Sequence, residues 1–163
     1  MAWQLRVAGS HDLAPIMAIE SSTFGTDAWT DSAMRADLGN RHTYYLVAFH
    51  PETPDLIEGY AGLLSPVGSG EGDIQTIAVA ESARRQGLGR MLMQALIAEA
   101  RARRATALFL EVRADNPTAQ QLYVSLGFEE IAVRPKYYQP DGVDARIMRL
   151  SIAEPRLSPA VGA

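Results

Sequence analysis

Arg84-Arg85-Gln86-Gly87-Leu88-Gly89-Arg90 is the stretch on which the reading of this chain turns. Just upstream, Asp73-Ile74-Gln75-Thr76-Ile77-Ala78-Val79 is a β-branched run and reads as a strand. Downstream, Leu88, Met91, Leu92, Ala95 and Leu96 recur at helical spacing, the apolar stripe of a surface helix expected from about Gly87 to Arg103. The unit is strand, glycine-rich turn, helix. Gly87 and Gly89 let the backbone approach another group closely, and the first N–H groups of a helix lack intrahelical acceptors. With the helix dipole and the charges of Arg84, Arg85 and Arg90, such a turn favours an anion such as a phosphate. A plain glycine turn carrying solvated arginines is the competing reading, and spacing alone leaves both open.

Two other phosphate motifs are excluded by what stands here. A nucleoside-triphosphate loop requires Gly-x-x-x-x-Gly-Lys-Ser/Thr, and the chain has no Lys-Ser or Lys-Thr pair. A dinucleotide fingerprint requires a third glycine where Leu92 stands. The 163 residues carry a formal charge of −4, so an extended nucleic-acid surface is not expected, whereas a local basic focus suits a small polyanion. There are no cysteines, which removes disulfides, a thiolate nucleophile and cysteine-based zinc sites. His11, His42 and His50 match no metal-ligand spacing, so no metal is expected. No segment approaches the length of a membrane span or a signal sequence, and the absence of cysteine fits a reducing compartment; a cytoplasmic protein without a membrane partner is expected.

Around the central unit the chain reads as alternating elements. Leu5 to Ala8 is a first strand, and a helix begins near Leu13, with Leu13, Ile16, Met17 and Glu20 at helical spacing and Ser10 or Asp12 as its cap. Phe24 to Trp29 reads as a loop, and Thr30 caps a helix over Asp31 to Leu38. Thr43 to Phe49 and Leu56 to Leu64 form a hairpin. Ala105 to Val112 is a strand parallel to residues 73–79, by the usual crossover rule. Asn116-Pro117 opens a short helix that Gly127 stops. Phe128 to Val133 and Ala145 to Ser151 are strands flanking a polar loop from Arg134 to Asp144. One domain over residues 1–152, with a flexible tail at 153–163, is the expected organisation.

Arg84-x-x-Gly87-x-Gly89 resembles the pyrophosphate signature of the GNAT N-acetyltransferase superfamily. Leu110-Glu111-Val112-Arg113-Ala114-Asp115-Asn116, Leu122-Tyr123-Val124-Ser125-Leu126-Gly127-Phe128 and Arg134-Pro135-Lys136-Tyr137-Tyr138 are similar to segments of its bacterial ribosomal-protein-alanine N-acetyltransferases. The resemblance covers almost the whole chain. It implies an α/β GNAT fold: a mixed, mostly antiparallel sheet of six to seven strands with a central splayed parallel pair, flanked by about four helices.

The resemblance also implies roles. Acetyl-CoA would be the cosubstrate, its pyrophosphate held by Arg84, Arg85, Gln86, Gly87, Leu88, Gly89 and Arg90. The pantetheine arm would run along Ile77, Ala78 and Val79, where the family breaks the strand ladder with a bulge, and Asn116 would touch the cofactor beyond its pyrophosphate. Glu111 would be the general base and Tyr123 the general acid at the leaving thiolate. Read from the residues alone, Glu111 could equally be a strand-end carboxylate paired with Arg113 or Arg85, Tyr123 a core contact, and Asn116 a helix cap. Phe24, Trp29, Asp73, Tyr137 and Tyr138 would meet the acceptor, although each aromatic singly reads as an ordinary lid residue. Family members commonly have Pro-Trp where this chain has Ala28-Trp29, which leaves that loop less preorganised. Glu20, Asp27, Asp73 and Asp144 could draw in a basic tail.

The implied reaction is direct acetyl transfer to the α-amine of a protein N-terminus, first of all the N-terminal alanine of ribosomal protein S18, by a monomer or weak dimer. Two alternatives stand beside it: acetylation of other N-termini, a lysine side chain or a small amine, and a non-catalytic acyl-CoA sensor. Retention of Glu111 and Tyr123 argues against the sensor.

Overall fold

The computed structural model describes residues 2–152; the expected tail at 153–163 lies outside the described residues. Seven strands form one sheet in the order β1-β2-β3-β4-β5-β7-β6. These are β1 (Gln4–Val7), β2 (Thr43–Phe49), β3 (Gly59–Leu64), β4 (Glu71–Val79), β5 (Ala107–Arg113), β6 (Glu129–Tyr138) and β7 (Val143–Ser151). Every neighbouring pair is antiparallel except β4–β5. The helices are α1 (Leu13–Phe24), α2 (Asp31–Leu38), α3 (Leu88–Ala102) and α4 (Pro117–Ser125). The expected architecture is thus present.

The sheet has a core on each face. Leu46, Ala48, Ala61, Leu63, Leu108, Leu110 and Val112 pack with α3 and with Tyr123 of α4 on one side. Tyr45, Val47, Tyr60 and Ala78 pack with Leu13, Ile16, Met17 and Met34 of α1 and α2 on the other. Alternation along β2 deals its residues to both cores in turn. On α3 the buried stripe is Leu88, Leu92, Met93, Leu96 and Ala100; Met91, expected in it, is exposed. Each leucine so buried contributes about 1.5–3 kcal/mol.

Two irregularities position the site. The β4–β5 pairing runs only from Glu71↔Ala107 to Asp73↔Phe109, after which both strands continue unpaired with each other, so the parallel pair is splayed. A second break lies between β3 and β4, where Gly62↔Thr76 is followed by Leu63↔Ile74 and Gln75 is the supernumerary residue. The bulge therefore falls at Gln75, ahead of the Ile77–Val79 segment where it was expected. It reverses the alternation of β4. Ile74 lies in the α3 core, yet Ala78 lies in the α1 core and Thr76 bonds to Glu20 of α1. Gly62, opposite the bulge, has no room for a side chain, because a Cβ there would sit 2.2 Å from the Tyr45 ring.

Several local expectations are met and others corrected. Thr30 Oγ1 accepts from the Ala33 amide at 3.1 Å, and Asn116 Oδ1 from the Ala119 amide at 3.2 Å, as helix caps. Asp12 precedes α1 without capping it; its carboxylate takes a bidentate bond from Arg6 and one from the Gly9 amide. The loop expected over residues 134–144 is mostly strand, since β6 runs on to Tyr138. Between Arg134↔Ala145 and Tyr138↔Val143, β6 advances four residues against two on β7, and the Lys136 amide closes this wide bulge on Asp144 Oδ1 at 2.9 Å.

Candidate active site

The splay opens a groove of about 1880 Å³ that reaches both faces of the sheet. At one end lies the turn before α3. Gly87 is the N-cap of α3 with φ 77° and ψ 8°, and a Cβ there would meet nothing within 4 Å, so the left-handed backbone and not crowding makes glycine the suitable residue. Arg85 also adopts positive φ, 64°, a strain of about 1–2 kcal/mol for a non-glycine residue. The first helical bond is donated by Met91 to the Gly87 carbonyl at 3.1 Å. The amides of Leu88, Gly89 and Arg90 have no acceptor among the described residues. Arg84 anchors the turn by donating to the Val79 carbonyl at 3.2 Å, and Arg90 reaches Ser125 of α4 at 2.7 Å. Gln86 does not line the groove; its side chain turns back to the Ser82 carbonyl at 3.3 Å.

Along the middle, Ile77, Ala78 and Val79 of β4 pair with β3 on one edge, while the edge towards β5 borders the gap with no strand partner. Asn116, its Oδ1 engaged as a cap, and Tyr123 line the same stretch from α4. Tyr123 is 8% exposed and packs edge-on against Phe128 at 6.0 Å. Burial pushes its phenol up to about 12, so it keeps its proton throughout the neutral range.

At the other end stands Glu111. Leu110 and Val112 enter the α3 core, so alternation turns Glu111 and Arg113 to the α1 face. The Glu111 side chain is 35% exposed, and its salt-bridge partner is Arg134 at 3.4 Å, neither Arg113 nor Arg85. Tyr137 lies beside it: the Glu111 carboxylate raises the Tyr137 phenol above its ordinary value. Tyr138 is pushed up to about 12, first by burial and then by the Glu111 charge. Asp73, at the last paired position of β4, is raised by partial burial and by the neighbouring Glu71 and Glu111 charges. Phe24 and Trp29 complete this end from the α1–α2 connection.

Three of the four residues expected to steer a basic tail are otherwise engaged, Asp144 by the Lys136 amide. Glu20 is 1% exposed, and its carboxylate accepts from the Tyr60 hydroxyl, from Thr76 Oγ1 at 2.7 Å and from the Trp29 amide at 3.1 Å. It fixes the start of α2 against β3 and β4 and is not a free surface charge. Asp27 is bonded to Arg113. Apart from Gln86 and Asp144, the cofactor, catalytic and acceptor residues singled out from the sequence line this one groove. Arg113, Arg134 and Thr76 also line it, and their part in it did not emerge from the sequence. Among the described residues no cluster of His, Asp or Glu is placed to hold a metal ion, and no helix is long and apolar enough to cross a membrane.

Residues 13–128 match the profile of the Acetyltransferase (GNAT) family. The chain belongs to the GNAT family. Among its GNAT relatives is an uncharacterized protein of Mycobacterium leprae, 40% identical over 134 residues, which are 80% of this chain but 36% of that protein; the chain thus spans about a third of that relative's length. A Mycobacterium tuberculosis protein named N-alpha-acetyltransferase RimI is 34% identical over 140 residues, 84% of this chain and 85% of its own. The crystal structure of the ribosomal-protein-S18-alanine N-acetyltransferase from Escherichia coli superposes with a TM-score of 0.82 at 28% identity, covering 98% of this chain and 99% of that one.

The family is one of acetyltransferases, and the residues present fit acetyl-CoA as the acyl donor. Three unpaired amides, three arginines and open space above Gly87 suit a diphosphate. The unpaired edge of β4 beyond Asp73 suits the amides of an extended arm.

Proposed function

We propose that this protein transfers the acetyl group of acetyl-CoA to the α-amine of a protein N-terminus, the N-terminal alanine of ribosomal protein S18 being the first candidate. One observation carries this reading: a single groove joins the amide-lined turn of α3 to a half-exposed carboxylate framed by two loops. The S18 substrate is favoured by the likeness to the ribosomal-protein-S18-alanine N-acetyltransferase from Escherichia coli.

In this reading Leu88, Gly89 and Arg90 bind the diphosphate through their main chain, with Arg84 and Arg85 supplying charge, and β4 from Ile77 to Val79 aligns the arm. Acetyl-CoA supplies an activated thioester carbonyl. Glu111 accepts the proton that the α-amine must lose, directly or through one water, as the carbon–nitrogen bond forms. An α-amine has a reference pKa near ~8, so it asks less of this base than a lysine near ~10.4. Tyr123, protonated up to about 12, donates a hydrogen bond to the sulfur as the carbon–sulfur bond breaks. A free thiol titrates near ~8.5, so a phenol this weak lowers the charge on the leaving sulfur by hydrogen bonding more than by giving up its proton. Phe24, Trp29, Tyr137, Tyr138 and Asp73 surround the incoming residue.

The test is acetylation with labelled acetyl-CoA of peptides beginning with the S18 N-terminus, Ala, Ser, Thr or Met, beside an N-terminally blocked peptide containing lysine. Label on the α-nitrogen of the free peptides is expected. Label confined to the lysine, or no label with acetyl-CoA bound, overturns the proposal.

A further inference from the structure

We propose that Arg113 is a positioning residue that clasps the two acceptor-side loops together and so decides which amines reach Glu111. The proposal rests on the reading that this end of the groove receives a protein N-terminus. Arg113 follows Glu111 by two residues on β5, on the same face. Its guanidinium meets carboxylates from three separate segments. Nη1 donates to Asp27 Oδ2 at 2.6 Å; Nε and Nη2 donate to the two oxygens of Asp115 at 3.0 and 3.1 Å; Nη2 also donates to Asp141.

Asp27 closes the short helical turn after α1, and Asp141 lies in the β6–β7 turn. These turns belong to the two loops that border Glu111, and both line the groove. The same guanidinium stacks over the Tyr138 ring at 5.0 Å, and Tyr138 packs edge-on against Tyr137. One side chain thus holds both walls of the opening and one of its aromatic linings.

The chemistry explains why an arginine stands here. A guanidinium offers five donors in a planar fork and can make these four bonds to three carboxylates while stacking on an aromatic face; an ammonium has three donors and no planar fork. The carboxylates in turn raise the guanidinium further above its ordinary value, so it keeps its charge through the neutral and alkaline range. Arg113 and Asp27 are largely shielded from water, which strengthens their bond relative to an exposed pair. Without the arginine, three like charges would face one another across the opening and drive the loops apart.

The experiment compares wild type with Arg113→Gln, Arg113→Lys and the pair Asp27→Asn/Asp141→Asn, which cuts both loop contacts and spares the arginine. With the best N-terminal peptide, Arg113→Gln is expected to raise the peptide KM about 10- to 100-fold, a displacement effect, while acetyl-CoA affinity and the melting temperature change little. Arg113→Lys should recover part of the loss, and the aspartate pair should shift the peptide KM in the same direction. Acetylation of a blocked, lysine-containing peptide should rise relative to the free N-terminus as the opening widens. An unchanged peptide KM overturns the proposal, and so does an equal loss in kcat, peptide KM and acetyl-CoA affinity, which would mark a merely structural residue. Should wild type acetylate no peptide, the functional reading fails, and the clasp is judged by acrylamide quenching of Trp29 in a Trp3→Phe background. Greater quenching in Arg113→Gln with acetyl-CoA affinity kept supports the clasp, and equal quenching overturns it.

Discussion

Arg134 Nη1 lies 3.4 Å from Glu111 Oε1, with both side chains in contact with water. A pair this open is worth at most about 1 kcal/mol, so it leaves the carboxylate available to a passing proton. Arg134→Ala should therefore change the unfolding free energy by less than about 1 kcal/mol. Glu111→Gln should instead lower kcat by about 10²–10⁴-fold, with acetyl-CoA affinity kept. An unchanged kcat in the Gln variant would remove Glu111 as the base.

Tyr123 holds its proton to about pH 12 because burial disfavours the phenolate. The rate should show no alkaline decline from this group below about pH 11, since a raised pKa leaves the donor form intact throughout that range. Tyr123→Phe keeps the edge contact with Phe128 but removes the donor, so kcat should fall about 10²-fold with little change in stability. Steady-state rates from pH 6 to 10.5, measured beside thermal melts, check both statements.

At Gly87 the backbone conformation and the open space above it make separate demands. Gly87→Ala puts a non-glycine residue at φ 77°, costing about 1–2 kcal/mol in a turn that must hold its amides in place. Acetyl-CoA affinity, read by calorimetry, should fall about 10-fold or more, while the unliganded fold persists. Unaltered affinity would place the diphosphate elsewhere.

Asp12 tests stability away from the groove. Its bonds from Arg6 lower its pKa below the ordinary 3.8. A depressed carboxylate contributes stability fully above the unfolded-state value and loses it as pH falls through the folded one. Asp12→Asn should cost about 1–3 kcal/mol at pH 7, and the gap to wild type should narrow only below about pH 4. Urea titrations at pH 7 and pH 3 measure it.

What the sequence disclosed follows the range of the forces involved. The strand, turn and helix around Gly87 were legible because glycine conformation, helix periodicity and unpaired amides act over a few residues. Glu20 fell on the apolar repeat Leu13, Ile16, Met17, which pointed inward, yet its acceptor role depends on Tyr60 and Thr76, forty and fifty-six residues away. Arg113 pairs with Asp27 across eighty-six residues, a contact no local pattern records. β6 read as a loop beyond Val133 because Pro135 and its charged neighbours resemble a turn; its pairing is imposed by β7 and relieved by a bulge. The gap between β4 and β5 is a property of two strands at once, and neither alone encodes it.

Gln75 gives β4 an odd count where its neighbour β3 has an even one. Length, more than side-chain identity, is therefore what this segment must conserve. Excising Gln75 would close the β3–β4 ladder into regular pairing with Thr76 and Ala78 still facing α1, but it would remove the bend that the extra residue puts into β4, lose the bonds from Gln75 to Asp37, and draw every residue upstream of it one step along the strand. A one-residue deletion there should be harsher than any conservative replacement at the same position.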